Sequence, residues 1–419
     1  MLAPGARRAG LALALALSAP AAARDLWSEG ESVLSLRTSL KGAALVQRAP
    51  DAPLLFTERE GATSLWRLRL DAGARAGPRA TFALAYEQRL RVESAPSVLS
   101  GGPLGGDAPP SYRLEPLDWP LSQGASFAWR HELDRANAAL HLGRLELTLG
   151  RQAIGWGRGV FFGAVDLFAP FSPLEADREW RRGVDAVRAE VRLSDRISAE
   201  AVAALGASAR SSVLAARIRG HAGEVDAELV AGWRATDLVL GATSSAAMGD
   251  AEVHGELAVF RAEDPLPSGG AWGNPRLAPK AVAGGSYRFA LGRGLAVLAE
   301  YHYSGLGARR PEEMVPLLSD PAFRARFLRG DTQLLGRHGA AVLASIELTN
   351  ELSTQLLGLF SPRDGSGVAS PAAVWTLSDA ASVHLALYLP WGAGPDGLLL
   401  RSEHGATPLS GFLQLRIYD

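Results

Sequence analysis

Beyond the first two dozen residues, apolar and polar positions alternate with a period of two along most of the chain. That is the spacing of a β-strand whose two faces meet different surroundings. In 225–231, Val225, Ala227, Leu229 and Ala231 share one face, and Asp226, Glu228 and Val230 the other. In 251–259, Val253, Gly255, Leu257 and Val259 alternate with Glu252, His254, Glu256 and Ala258. Leu295, Val297, Ala299, Tyr301 and Tyr303 alternate with Ala296, Leu298, Glu300 and His302. Near the end, Val383, Leu385, Leu387 and Leu389 oppose His384, Ala386 and Tyr388, and Leu413, Leu415 and Ile417 oppose Gln414, Arg416 and Tyr418.

A soluble β-sandwich alternates in the same way, so the connections must decide. Short joints at Gly143-Arg144, Ser194-Asp195, His221-Ala222-Gly223, Gly249-Asp250, Gly292-Arg293-Gly294, Thr349-Asn350 and Ser378-Asp379 alternate with long polar segments near 94–125, 155–182, 263–279, 306–335, 362–371 and 391–408. Connections near 207–210 and 234–237 are short yet fall on the long-loop side. Short turns at one end and long loops at the other mark an outer-membrane barrel. The pattern predicts strands near 31–46, 63–71, 79–92, 126–142, 145–154, 183–193, 197–206, 211–220, 225–234, 238–246, 251–262, 280–290, 295–305, 336–348, 352–361, 372–378, 382–390 and 409–419.

The expected fold is therefore all-β: a transmembrane antiparallel up-and-down β-barrel of about 18 strands (range 16–18), with both termini at the periplasmic end and no plug domain. Closure is a physical demand, because every backbone N–H and C=O in hydrocarbon must be paired and only a sheet without edges achieves this. The stretch from Ser410 to Asp419 suits a closing strand, although it ends Tyr418-Asp419 rather than on the aromatic residue such barrels usually show to the insertion machinery.

Arg7 and Arg8, the apolar run 11–17 and the small residues Ala21-Ala22-Ala23 form the three-part pattern of a secretory signal peptide over 1–23. The barrel is expected over 24–419, in the outer membrane of a Gram-negative envelope. Composition sharpens this reading. The chain has 47% hydrophobic residues and a net charge of −1, so it is neither a disordered chain nor a basic nucleic-acid binder. No apolar run is long enough for a membrane-spanning helix. Cysteine is absent, which removes disulfides and thiolate chemistry. Lys41 and Lys280 are the only lysines; a GC-rich genome that favours Arg accounts for this more simply than the alternative, guanidinium recognition of anionic groups.

The stretch 145–193 is the most distinctive. It carries Gly150-Arg151-Gln152, Gly155-Trp156-Gly157, then Asp166-Leu167-Phe168 and Pro170, and finally Asp177, Arg178, Arg181 and Arg182 ahead of Gly183-Val184-Asp185-Ala186. Over these roughly 50 residues the chain resembles porin-like outer-membrane barrels, including the alginate-export type and related envelope barrels. The resemblance implies a polar pore with loop 155–182 near its mouth or inside it. Arg151, Arg158, Asp166, Asp177, Arg178, Arg181, Arg182 and Asp185 are the pore or constriction candidates. Two readings stay open: a network that pins the loop to the wall, or a field that contacts solute. Arg151 shares the parity of the lipid-facing Leu145, Leu147 and Leu149, so it must lie above the membrane edge or follow a bulge.

Arg or Lys on the lipid face at midplane costs about 2–4 kcal/mol, so charges on strands belong inside. Arg67, Arg69, Arg89, Arg188, Arg192, Asp226, Glu228, Glu252, Glu256 and Glu300 are the lumen candidates. Arg-bearing early strands and acidic strands over 225–262 suggest either a transverse field or generic wetting. Glu252-x-His254-x-Glu256 and Glu300-x-His302 have the residue types of metal ligands, but in a wet barrel they read as scattered ionisable groups, and no metal is expected. Ser304 and His302 share a face without a third orienting group, so no catalytic site is assigned and no enzyme is expected. There is no nucleotide-binding fingerprint and no cofactor is expected. Segment 321–329 is suited to one or two helical turns; it either caps the mouth or is a surface excursion without a gating role, and the second reading is preferred.

The expected function is a porin-like channel for passive or loosely selective passage of small polar solutes. The alternatives are a specific channel for an anionic polymer or small acid, and a non-conducting structural or assembly barrel. Expected partners are outer-membrane lipid, a small polar or anionic solute and the barrel-insertion machinery, with no nucleic acid. Oligomeric state is not legible.

Overall fold

Alternating apolar and polar residues over the predicted segments build one antiparallel sheet that closes on itself. The structure, a computed structural model, describes residues 24–94, 102–104 and 110–419. The predicted leader lies outside the described residues. The strands are β1 (Arg24–Glu29), β2 (Ser32–Arg48), β3 (Glu60–Ala76), β4 (Ala80–Glu93), β5 (Asp118–Gln123), β6 (Phe127–Leu142), β7 (Leu145–Gln152), β8 (Val184–Arg192), β9 (Ile197–Ala204) and β10 (Val213–Ala222). They continue as β11 (Val225–Arg234), β12 (Asp237–Met248), β13 (Ala251–Arg261), β14 (Leu277–Phe289), β15 (Leu295–Ser304), β16 (His338–Glu347), β17 (Leu352–Phe360), β18 (Gly367–Ser378), β19 (Ala381–Trp391) and β20 (Leu409–Tyr418).

Of the 20 strands among the described residues, β1 pairs only with β2 and β5 only with β6; the remaining 18 pair neighbour to neighbour, and β20 returns to β2. This is the closed 18-strand barrel that the alternation predicts, with each of the 18 expected segments occupied by a strand. Closure runs from Ser39↔Tyr418 to Arg48↔Leu409, so the last strand zips against the first and leaves no edge in hydrocarbon. Two additions escaped the pattern. At 17 residues, β2 extends past the end of β20 at the short-turn rim, and β1 folds back to pair with that overhang. β5 takes over the edge of β6 where β7 has left the wall.

The outward faces carry Leu149, Leu214, Leu229, Leu240, Leu257, Leu356, Leu385 and Leu413, all strongly exposed. Aromatic residues mark both rims: Trp129, Trp233 and Trp391 near the long loops, Phe82, Tyr287, Phe289 and Trp375 near the short turns. An exposed apolar band between aromatic girdles is the signature of a barrel built to stand in a membrane, and the long-short asymmetry places the short turns at the periplasmic end. The buried core lies inside the barrel. There Trp156, Phe161, Phe162, Leu167 and Phe168 pack against inward Val202, Val213, Val239 and Phe260.

Over the long-loop end, a short turn (Pro311–Glu313) leads into helices α1 (Met314–Ser319) and α2 (Pro321–Leu328). Asp320 caps α2 by accepting the backbone N–H groups of Ala322 (2.8 Å) and Phe323 (3.0 Å). Met314, Leu317 and Phe323 pack with Phe56 and Leu400 from two other loops. Of the two sequence readings of this excursion, the one that caps the mouth fits: it is docked there through an apolar cluster contributed by three separate loops.

Candidate functional site

Segment 153–183 leaves the end of β7 and turns into the barrel. Gly150 enables the departure. Its φ is +107°, and a Cβ there would sit 2.2 Å from the carbonyl oxygen of Ala136. Next to it, Arg151 and Asp185 are register partners on the outward parity. They form an ion pair of 2.7 Å, covered by segment 112–117: Arg151 donates to the carbonyl of Pro116 (2.9 Å), and the Leu114 N–H donates to Asp185 (2.9 Å). These two candidates therefore tie a neighbouring loop to the wall and stand apart from the others.

Two wall carboxylates hold the incoming loop by its backbone. Glu256 on β13 accepts from the N–H groups of Arg158 and Gly159 (2.7 Å for Gly159) with Oε1, and from Ala164 (2.6 Å) and Val165 (3.2 Å) with Oε2. Glu300 on β15 accepts from Val160, Phe161 (2.9 Å) and Phe162 (3.2 Å), and its Oε1 lies 3.1 Å from His254 Nε2. Gly163 donates to Gln333 Oε1 at 2.8 Å, and the Trp156 indole donates to Glu200 Oε1 at 3.0 Å. A carboxylate offers up to four lone-pair sites, and Glu256 fills all four with main-chain donors that would otherwise be orphaned inside the barrel. The acidic pattern on 252–256 thus marks an anchor for the loop, and no cluster with metal-holding geometry occurs among the described residues.

The far end of the loop is held on the opposite wall, on β2, β3, β6 and β20. Asp177 accepts from Lys41 Nζ (2.8 Å) and from Gln414 (3.3 Å), and Glu179 lies 2.7 Å from the same ammonium. Lys41 also sits 3.6 Å above the Trp180 ring. Arg182 donates to Glu132 at 3.1 Å. Arg181 pairs with Asp166 within the loop and donates to the carbonyl of Ala169 at 2.7 Å. Arg178 donates to the carbonyls of Val160 (2.9 Å), Ser172 (2.9 Å) and Pro173 (2.6 Å). Loop 155–182 therefore crosses the interior from β13–β15 to β2–β6, joined to the wall at both ends.

Most of the lumen candidates are woven into pairs. Arg67 meets Glu87 at 3.1 Å, Arg69 meets Asp134 at 2.9 Å and Asp71 at 3.0 Å, and Arg89 meets Glu132 at 3.1 Å. Arg188 reaches Glu190 (2.8 Å) and Glu200 (3.1 Å), while Arg217 bridges Glu200 (2.8 Å) and Glu228 (3.0 Å). Arg158 reaches from the loop to Glu228 at 3.3 Å. The early strands are thus not a bare positive wall, and of the middle-strand acids Glu256 is occupied by loop amides and Glu228 by arginines. Sequence reading missed Asp134. A bulge between Ala85 and Tyr86 of β4 and the facing strand leaves Asp134 unregistered, so Asp134 and Arg135 do not follow the period.

Beneath the loop, at the periplasmic end, lies a polar cavity of about 590 Å³ lined by Arg158, Glu190, Arg192, Arg219, Asp226 and Glu228, among others. A second recess of about 230 Å³, lined in part by Arg288, Glu347 and Gln355, lies at the same end on the other side. Glu252 is exposed at the start of β13. Above the loop, Asp331 is fully buried between Arg234 (3.0 Å) and Arg329 (2.9 Å). Burial opposes its ionisation, yet those arginines and Arg326 hold its carboxyl well below the usual carboxylate range. In the loop after β19, Glu403 accepts from the backbone N–H groups of Leu335 (2.8 Å) and Gly336 (2.6 Å) and so latches the helix-bearing segment. Burial pushes this carboxyl up to about 7; the two N–H groups oppose the shift and Asp364 adds to it.

No protein-family model matches the chain, and no curated protein does. Solved structures do match its fold. Acinetobacter baumannii OccAB1 superposes with a TM-score of 0.56 at 8% identity, covering 96% of this chain and 99% of that one. Acinetobacter baumannii OccAB4 gives 0.54 at 10%, covering 94% and 99%. Pseudomonas aeruginosa OccK11 (OpdR) gives 0.50 at 13%, covering 91% and 95%. At such identities the likeness is one of fold, and this chain has the fold of an outer-membrane porin-type β-barrel along nearly its whole described length.

Proposed function

We propose that the protein is a porin-like channel of the outer membrane that passes small polar solutes, narrowed by loop 155–182 with its Arg158, Asp166, Asp177, Arg178, Arg181 and Arg182. The observation that carries this reading is the loop itself, strapped across the inside of a closed barrel above a wet, charged cavity. A barrel serving only as a wall or assembly platform has no need of a polar chamber beneath such a strap. Mechanism follows from the geometry. A solute entering between the docked loops sheds part of its hydration beside paired Arg and Glu side chains, whose fixed dipoles replace some of that water, and leaves through the periplasmic cavity. The alternation of sign along the wall favours polar over apolar solutes without committing the channel to one charge.

Conductance across a planar bilayer tests the reading. The refolded barrel should show discrete current steps; a barrel that is folded by gel mobility and carries no current refutes it. A second reading is a channel selective for a small acid or an anionic polymer, in keeping with the sequence resemblance to alginate-export barrels. It is favoured by Arg178, whose guanidinium in the loop meets carbonyls rather than carboxylates. Reversal potentials in a salt gradient separate the two: the second reading requires anion preference in the native chain and its loss in Arg178→Gln.

A further inference from the structure

Lys280 on β14 and Ser304 on β15 are register partners, and His302 is the next inward residue along β15. The three are 1%, 0% and 0% exposed. Neither ring nitrogen of His302 nor the hydroxyl of Ser304 has a hydrogen-bond partner. Among the described residues Lys280 makes no ion pair; its ammonium lies 5.7 Å from the centroid of the Phe260 ring. Such a cluster stands out. Buried polar groups in folded proteins almost always find partners, and a buried ammonium with no ion pair or hydrogen bond is a costly arrangement for a fold to hold.

The nearby carboxylates are already engaged. Asp331 is held by Arg234 and Arg329, Asp166 by Arg181, and Glu256 by four loop amides. They act on the ammonium only from beyond ion-pair distance, and the side chains of the cluster itself offer donors: three ammonium hydrogens, the Ser304 hydroxyl and one imidazole N–H. Arg234 adds further positive charge nearby. Phe162 of the strapped loop stacks on the His302 ring, with centroids 4.9 Å apart and planes 14° apart, and closes the cluster from the lumen side.

We propose that Lys280, His302 and Ser304 form a buried binding site for a small monovalent inorganic anion of chloride size, seated behind loop 155–182. The single positive charge and few donors suit a monovalent ion, and a bulky dianion would be left under-coordinated. Such an anion gives Lys280 a partner in direct contact, satisfies the donors of Ser304 and His302, and stiffens the wall against which Phe162 rests. The inference concerns the wall and does not depend on the channel reading.

Bromide tests it with the native chain. Crystals of the refolded barrel grown in sodium bromide should show an anomalous peak within hydrogen-bond distance of Lys280 Nζ and Ser304 Oγ, and Lys280→Met should lose that peak. In detergent solution, the native barrel should unfold at higher temperature in chloride than in gluconate of equal ionic strength, and the difference should vanish in Lys280→Met. Bromide found only on exposed arginines, with ordered water alone at the three residues, overturns the proposal. So does a native barrel whose unfolding is indifferent to the choice of anion.

Discussion

The double anchor of loop 155–182 gives the sharpest prediction. In Glu256→Ala, four backbone N–H groups, from Arg158, Gly159, Ala164 and Val165, lose their acceptor together. A hydrogen bond to a charged group contributes roughly 1.5–3 kcal/mol net, so the gross loss is on the order of 6–12 kcal/mol if the loop stays in place. The loop has a cheaper course, which is to move and expose those amides to water. The expected outcome is therefore local release with the barrel intact. Glu256→Gln keeps the shape but can serve only one of the two N–H pairs, because its amide nitrogen faces the other pair as a fellow donor. Its effect should be about half as large.

Single-channel recording reads the result directly. Glu256→Ala should give larger and noisier steps than the native chain, with Glu256→Gln between them, while the heat-dependent gel shift of the folded barrel stays unchanged in all three. Hydrogen exchange at 158–165 should rise in the same order. Unchanged conductance, noise and exchange in Glu256→Ala, and again in the double change with Glu300→Ala, would refute the view that these carboxylates hold the loop.

Other tests follow from single contacts. Gly159→Ala places a Cβ 1.9 Å from the carbonyl oxygen of Phe162, so it should disturb the loop much as Glu256→Ala does, whereas Gly102→Ala meets no atom within 4 Å and should leave conductance unchanged. Lys41→Met removes the cation shared by Asp177 and Glu179 at the far anchor and should destabilise the barrel by roughly 3–5 kcal/mol, read as a lower denaturation midpoint; a midpoint equal to the native one would count against the pairing. Glu403 makes the mouth latch pH-dependent. Its carboxyl is raised above the ordinary value of 4.5 to about 7, so the folded latch binds the proton more tightly than the open one. The associated stability is fully present below about 4.5 and is lost as pH rises through about 7. Protease cleavage within 306–337 should therefore be faster at about pH 8 than at about pH 5 after correction for the protease itself, and Glu403→Gln should flatten the difference.

Strand periodicity was legible because a membrane barrel imposes it on the strands that cross the hydrocarbon: each must alternate between lipid and interior, and a closed sheet needs a continuous run of such strands. The same rule brought out the inward acids Glu256 and Glu300 and the arginines opposite them. It did not show what they hold. Glu252-x-His254-x-Glu256 reads equally as wet lumen or as ligands, because the partners of Glu256 are backbone amides from a loop almost 100 residues away, and amides leave no mark in a sequence. Asp134 escaped because a bulge breaks the period at that point, and the docking of α1 and α2 escaped because it depends on Phe56 and Leu400 in distant loops.

The chain alone therefore determined the 18 wall strands, the closure, the inside and outside of the wall, and which loop is exceptional. Those properties follow from local alternation and from the hydrogen-bonding demand of hydrocarbon, which every strand meets through the strands beside it. Only the tertiary structure decided that Arg151 and Asp185 belong to the outer edge of the wall, that the arginines of the lumen are paired rather than bare, and that the loop is strapped at both ends. These depend on which side chains meet across the interior of the barrel, between strands far apart in the chain, and a charge looks the same in sequence whether its partner is water, a carboxylate or the backbone of a loop.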